Sequence, residues 1–192
     1  MLPILLGYLA GSVPFAFLLA RPAGVDVRRA GSGNVGAANV LRTAGVWRGV
    51  AVMGLDVAKG AAAIAIAQLA NASGVLIAAS GAAAVVGHVY PVWLRFHGGK
   101  GVAVAAGVFG VLTPAATLVA AVLFMLTVSV TRYISLGSIA AVLALPSAAW
   151  LTGAPLGVVL AAIGTGALIL FRHRANIRRL RAGTERRMGE RA

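Results

Sequence analysis

The sequence predicts an all-α fold: a polytopic integral membrane helical bundle of about seven transmembrane helices, with the N-terminus outside and the C-terminus inside. Three observations lead there. Of the 192 residues, 60% are hydrophobic and only 11% are charged, whereas soluble domains carry about 25% charged residues. Seven apolar stretches can be drawn, roughly 2–20, 49–70, 74–89, 101–112, 115–131, 134–152 and 155–171. Of the 17 Lys and Arg, only Lys59 lies inside a stretch, and the others all fall in alternate connections.

That alternation sets the orientation. The segments after the first, third, fifth and seventh stretches hold Arg21, Arg28, Arg29, Arg42 and Arg48, then Arg95 and Lys100, then Arg132, then every arginine from Arg172 onward. The turns around Asn71–Gly74, Thr113–Pro114 and Thr152–Pro155 hold none. Cytoplasmic loops retain Lys and Arg because translocating them is disfavoured. The basic face is therefore inside, and it also carries the polar, glycine-punctuated sequence.

The first stretch has no positive segment before it, so it reads as an uncleaved anchor. Pro14, like Pro146 further on, falls inside a span and is expected to kink it; Pro114 and Pro155 sit at turns. In the second stretch Asp56 and Lys59, at i,i+3, share a helix face and can pair. Each alone would cost about 2.5–3.5 kcal/mol at a helix centre, so the pair is either a packing salt bridge or part of a site. A full span needs about 20 residues. The stretches 74–89 and 101–112 are short, so they either extend into neighbouring sequence or include a half-span shielded by protein. Small residues recur four apart, as in Gly7–Gly11 and Ala103–Gly107, the spacing by which membrane helices pack closely.

Residues 1–192 read as a single domain without internal repeats. Zero cysteine rules out disulfides, thiolate nucleophiles and Cys metal sites. The three His and four acids show no ligand spacing, so no metal is expected. The formal charge of +13 fits topology, anionic lipid headgroups and an anionic substrate, rather than nucleic acid.

Four polar clusters lie on the inner face. The first runs from Gly31 to Asn39, as Gly-Ser-Gly-Asn-Val-Gly-Ala-Ala-Asn, with Arg42 after it. Glycines let backbone N–H groups converge on an anion, and Ser and Asn add donors. It is not a Walker A loop, and a plain surface loop is the other reading. The second runs from Gly87 to Gly101. In it, Gly98-Gly99-Lys100-Gly101 opens an apolar stretch, placing backbone donors and a cation at a helix start. His88 is a base, a phosphate donor or an interfacial histidine. Tyr90 and Trp93 suit the interfacial belt. The third holds Arg132, Tyr133, Ser135 and Ser138, with the serines facing one way or bonding their own helix. The fourth holds Arg172, His173, Asn176 and then Gly183-Thr184-Glu185. If the last span continues as a helix, His173 and Asn176 share a face. Arg186, Arg187 and Arg191 suit headgroups or water.

In this order, the Ser-Gly-Asn-x-Gly-Ala-x-Asn, Gly-His…Pro…Gly-Gly-Lys-Gly and Arg-Tyr-x-Ser-x-x-Ser runs resemble those of the bacterial acyl-phosphate-dependent glycerol-3-phosphate acyltransferases. The resemblance covers nearly the whole chain, from Gly7-Tyr8-Leu9-Ala10-Gly11-Ser12-Val13-Pro14-Phe15 to Gly183-Thr184-Glu185. It implies a multi-pass inner-membrane enzyme with its site facing the cytoplasm. Such an enzyme transfers a fatty acyl group from acyl phosphate to the 1-hydroxyl of glycerol 3-phosphate, without a cofactor. The products are lysophosphatidate and phosphate, the first step of phospholipid synthesis. The resemblance further assigns Arg42, Lys100, Ser138, His173 and Asn176 to glycerol 3-phosphate. Ser32, Asn34, Gly36 and the backbone of Gly98–Gly101 go to the acyl phosphate and its carbonyl oxygen, with Asn39 and His88 among the substrate-binding groups. Ala38 and Val104 depart from the family pattern, where threonine is common.

The competing class is a transporter or channel for a phosphorylated anion. Transporters are commonly built from inverted repeats with broken helices at mid-membrane; no repeat is visible here, and the outer turns are minimal and uncharged. A purely structural subunit would leave the four clusters unexplained.

Overall fold

The computed structural model describes residues 1–190, which form helices and loops with no strand among the described residues; Arg191 lies outside them. The helices are α1 (Leu2–Ser12), α2 (Phe15–Ala20), α3 (Ala37–Thr43), α4 (Val46–Leu69), α5 (Gly74–Val89), α6 (Val102–Leu112), α7 (Pro114–Thr131), α8 (Ile134–Leu151), α9 (Leu156–Arg172) and α10 (Arg174–Arg181). Every apolar stretch read from the sequence is helical.

Their lengths separate them. Leu2–Ala23, Val46–Leu69, Gly74–Leu94, Pro114–Thr131 and Ile134–Leu151 are long and apolar enough to cross a bilayer. The pair α9 and α10 makes a sixth, bent by 56°. The third stretch therefore extends past its sequence boundary, but α6 stays at 11 residues. That is about 16 Å of helix at 1.5 Å per residue, against a hydrocarbon core of about 30 Å. Helix α6 packs its buried face of Val104, Ala105, Val108 and Phe109 into the bundle, mainly against α4.

Proline acts unevenly. Pro14 does more than kink its stretch: the helix stops at Ser12 and restarts at Phe15. Helix α8 runs through Pro146 without interruption. Pro114 occupies the first turn of α7, two residues after α6 ends, and Pro155 caps α9.

Helix α1 packs most extensively on α5, α7 on α8, and α4 on α6. The small residues explain the closeness. A Cβ on Gly11 would enter the Ala84 backbone, and one on Gly87 would enter the Tyr8 carbonyl. Across the second seam, Gly60 meets the Val104 carbonyl and Gly107 meets that of Val57. Without a hydrophobic drive between helices in lipid, such backbone contact supplies the association.

One core fills the space between α4 and α9, around Ile64, Val85, Val108, Phe109 and Ile169. A second, smaller cluster positions the site. Ala16, Ala20, Val27, Val35, Val40, Val52 and Leu94 pack together, clamping the loop between α2 and α3 onto α4 and the end of the α5 segment.

Candidate active site

The first loop is built around Asn39. Its Nδ2 donates to the carbonyls of Val27 (2.9 Å), Ala30 (3.1 Å) and Asn34 (3.0 Å), and its Oδ1 accepts from the Ser32 N–H at 3.0 Å. Gly31 and Gly33 take positive φ of 61° and 70° to make the turn, a conformation open to glycine. Asn39 is thus buried, with its amide engaged by the loop itself. Ser32 is exposed, Asn34 half-buried and Gly36 buried at the start of α3. Asp26 lies on the same loop. A hydrogen bond from Arg28 is the main influence holding its carboxyl down at about 2.

The second loop returns against α5. The N–H groups of Gly98 and Gly99 donate to the carbonyls of Val89 and His88, both at 3.1 Å. These two donors are therefore not available to an anion, contrary to the expectation from sequence. Gly101 has φ 92° and begins α6, which no side chain caps, so the open donors of a helix start remain there. Gly99 is needed for space: a Cβ there would enter His88 Nε2 and come within 2.7 Å of the Val35 carbonyl. The two loops meet at this point, on either side of the imidazole.

The third and fourth clusters join the second through side chains. Lys100 Nζ donates to Asn176 Oδ1 at 2.6 Å, and Asn176 Nδ2 donates to Glu185 Oε1 at 2.6 Å. The same carboxylate accepts from Ser135 Oγ (2.7 Å) and Arg179 Nε (2.7 Å). Glu185 reaches the site because the C-terminal segment docks on the α7–α8 turn. The Met188 N–H bonds the Arg132 carbonyl at 2.6 Å, and the Arg132 guanidinium bonds the Met188 carbonyl at 3.0 Å. Burial pushes the Glu185 carboxyl up, but the hydrogen bonds from Asn176, Ser135 and Arg179 more than reverse it, leaving it below its usual value. Burial pulls Lys100 down to about 8, with Glu185 opposing and Arg179, Arg42 and Arg172 adding to the fall. Arg42, half-buried on α3, faces the charges of Arg186, Glu185, Glu190 and Arg179.

The histidines are set in opposite tautomers, because each ring's tautomer follows from the bond its other nitrogen makes. His173 Nδ1 lies 2.8 Å from the Ile169 carbonyl oxygen, which only accepts, so Nδ1 carries the hydrogen and Nε2 a lone pair. His88 Nδ1 lies 3.1 Å from Lys59 Nζ, an ammonium that only donates, so the hydrogen sits on Nε2. Helix α9 ends at Arg172 and α10 turns away by 56°, so His173 sits at the bend as the N-cap of α10 and Asn176 in its first turn; both are buried, at 2% and 5% exposure.

Arg42, Lys100, His173 and Asn176 thus gather at one end of the bundle, while Ser32, Asn34, Gly36, His88 and Gly99 line the adjoining seam. Ser138 is buried and donates to the Ile134 carbonyl at 2.8 Å, so Ser135 rather than Ser138 enters the network. Sequence reasoning gave no role to Glu185, Ser135 or Arg179. The signal for Glu185 was its rarity, one of four acids in the chain. Asp56 and Lys59 pair as expected, at 2.7 Å, though off the line of a good hydrogen bond. Among the described residues no three of His, Asp or Glu form a metal-ligand set.

Comparison with known proteins fits this geometry. Residues 1–183 match the family model described as glycerol-3-phosphate acyltransferase. A Rubrobacter xylanophilus glycerol-3-phosphate acyltransferase is 45% identical over 98% of this chain and 95% of its own length. That of Myxococcus xanthus is 49% identical over 96% and 97%. The crystal structure of PlsY (YgiH), an integral membrane glycerol 3-phosphate acyltransferase, superposes in its glycerol 3-phosphate form with TM-score 0.93. The two are 41% identical, over 98% of this chain and 94% of that one. Its lysophosphatidic acid form gives TM-score 0.91 at 40% identity, with the same coverage.

Proposed function

The chain belongs to the glycerol-3-phosphate acyltransferase family, and from that premise we propose that it transfers a fatty acyl group from acyl phosphate to the 1-hydroxyl of glycerol 3-phosphate. The products are 1-acyl-glycerol 3-phosphate and phosphate. The observation that carries this reading is the convergence of Lys100, Asn176, His173 and Arg42 from three distant segments on one polar site.

Acyl phosphate is an activated mixed anhydride, so the chemistry needs no enzyme nucleophile and no cofactor. What remains is alignment and charge neutralisation. Lys100, Arg42, His173 and Asn176 bind glycerol 3-phosphate, its phosphate balanced by the two cations; Ser138 shapes that site from behind. Ser32, Asn34, Gly36, Gly101 and the open start of α6 hold the acyl phosphate. Asn39, Gly98 and Gly99 set the backbone around it. The acyl tail lies between helices, towards lipid.

The glycerol oxygen attacks the carbonyl carbon and a new ester C–O bond forms. The carbonyl–phosphate C–O bond breaks, and the departing phosphate takes the hydroxyl proton. The whole chain acts as one domain in the bacterial plasma membrane. Its N-terminus lies outside and its site faces the cytoplasm, where both water-soluble phosphates are met.

The test is purified protein in detergent with acyl phosphate and glycerol 3-phosphate, reading phosphate release. Release that depends on both substrates, with no other protein present, is the expected result and excludes a transporter. Activity with acyl-CoA or acyl carrier protein but not acyl phosphate would keep the acceptor and replace the donor.

A further inference from the structure

The polar cluster of Asp56, Lys59 and His88 lies outside the Lys100–Asn176 network, and His88 alone of the three reaches the seam of the site. The Lys59 ammonium is ringed by three acceptors: Asp56 Oδ1 at 2.7 Å, the Val13 carbonyl at 2.8 Å and His88 Nδ1 at 3.1 Å. Lysine has three donors and no acceptor; two of them meet Val13 and His88, and its charge is answered by Asp56. The bond to His88 gives it control of the imidazole.

We propose that His88 is a donor to the acyl substrate's carbonyl oxygen through Nε2–H, with Lys59 and Asp56 as positioning residues that hold this tautomer. The inference rests on the acyl-transfer reading above and gives its oxyanion a named partner.

Three observations support it. His88 is 9% exposed, and its Nε2 has no hydrogen-bond partner among the described residues. That nitrogen sits at the seam of the two loops, against Gly99 and near the Val35 carbonyl. The small cavity there, about 10 Å³, is lined by Ser12, Pro14, Phe15, Val35 and Pro91 and by Asp56, Lys59 and His88. Lys59 and Asp56 are paired with each other and Ser12 is bonded to Leu9 and Trp93, so the His88 Nε2–H is the donor left for a carbonyl oxygen. The phosphates belong at the cationic end, with Lys100 and Arg42.

The chemistry is balanced without further reagents. As the glycerol oxygen bonds to the carbonyl carbon, negative charge grows on the carbonyl oxygen, and a preorganised N–H lowers the barrier there. His88 keeps its proton throughout. The opposite tautomer would set a lone pair against that oxygen. His173, whose Nδ1 bonds a carbonyl, has that other tautomer and cannot substitute.

Two measurements test the assignment. In 15N spectra of the wild-type protein, the resonances that disappear in His88→Gln should show a protonated Nε2 and an unprotonated Nδ1. This readout is independent of activity, so it stands even if acyl phosphate proves not to be the donor. In Lys59→Met the imidazole loses its ammonium donor and faces Asp56 Oδ1, 3.6 Å away, so the hydrogen should move to Nδ1. In turnover, His88→Ala should lose about 10²–10³-fold in kcat, as for removal of one oxyanion donor, with KM for glycerol 3-phosphate little changed. His88→Gln, whose amide places an N–H near the Nε2 position, should recover at least tenfold of that loss, whereas His88→Asn should not. A wild-type Nδ1–H tautomer overturns the proposal. So does a folded His88→Gln as slow as His88→Ala, or a His88→Ala with wild-type kcat.

Discussion

Lys100 and Asn176, 76 residues apart in sequence, are joined by a 2.6 Å bond from ammonium to amide oxygen. Because lysine only donates, this bond fixes the amide with its oxygen towards Lys100 and its nitrogen towards Glu185. The two residues act as one unit. Lys100→Ala and Asn176→Ala should each raise KM for glycerol 3-phosphate about 10–100-fold, the scale of a lost charge-assisted contact. The double variant should lose little more than the worse single one, since interacting residues are not additive. Near-normal turnover in both folded single variants would remove them from the site.

Lys100 also sets a pH limit. Below its lowered value of about 8 it is charged and attracts phosphate; above that it is neutral. The value of kcat/KM for glycerol 3-phosphate should fall as pH rises through about 8, approaching tenfold per unit, and Lys100→Arg should lack this limb because arginine stays protonated. The sign for stability is opposite. The folded value lies below the ordinary 10.5, so between the two the unfolded chain binds more protons, and this group's contribution to stability grows with pH.

Glu185 holds three donors from two helices: Ser135 of α8, and Asn176 and Arg179 of α10. Glu185→Ala leaves them without their acceptor and should cost about 1–3 kcal/mol of stability, read as a lower Tm in detergent, with Glu185→Gln falling between the two. Its carboxyl sits below the usual 4.5. Its contribution is therefore complete above pH 4.5 and is lost as pH falls through the folded value. An unchanged Tm in both variants would show that the carboxylate is not a brace.

Topology can be read chemically because the chain has no cysteine. Single cysteines at Ser32 and Ala72 should respond oppositely to an impermeant maleimide on intact cells. Ala72→Cys should react at once, and Ser32→Cys only after permeabilisation. Labelling of both from outside would contradict a cytoplasmic first loop.

The sequence carried the apolar stretches well, since hydrophobic length is a local property. It located all seven helical stretches, and it flagged 101–112 as too short before α6 was seen to stop at 11 residues. It did not carry the bend at His173, which depends on tertiary contacts between the end of α9 and the Lys100 loop. Site residues were legible by type and less so by task. Asn39 reads as a ligand in a Gly/Ser/Asn run, yet its amide meets four backbone groups. The Gly98 and Gly99 donors read as anion ligands until the carbonyls of Val89 and His88 claim them. The Lys59–His88 bond joins α4 to α5 across 29 residues, and no periodicity announces such a pair.

The gap between α1 and α2 leaves the Val13 oxygen outside a regular helical ladder, where it accepts from Phe15 N–H and from Lys59. Beside the Asp56 carboxylate and the His88 ring, the buried cation takes an oxygen that this interrupted rod alone offers. Pro14 and Lys59 are accordingly a matched set: straightening the rod by Pro14→Leu would evict the amine's host, and exchanging Lys59 for an aliphatic residue would leave the vacated oxygen unanswered. Drift at either position should be tolerated only when the other moves with it.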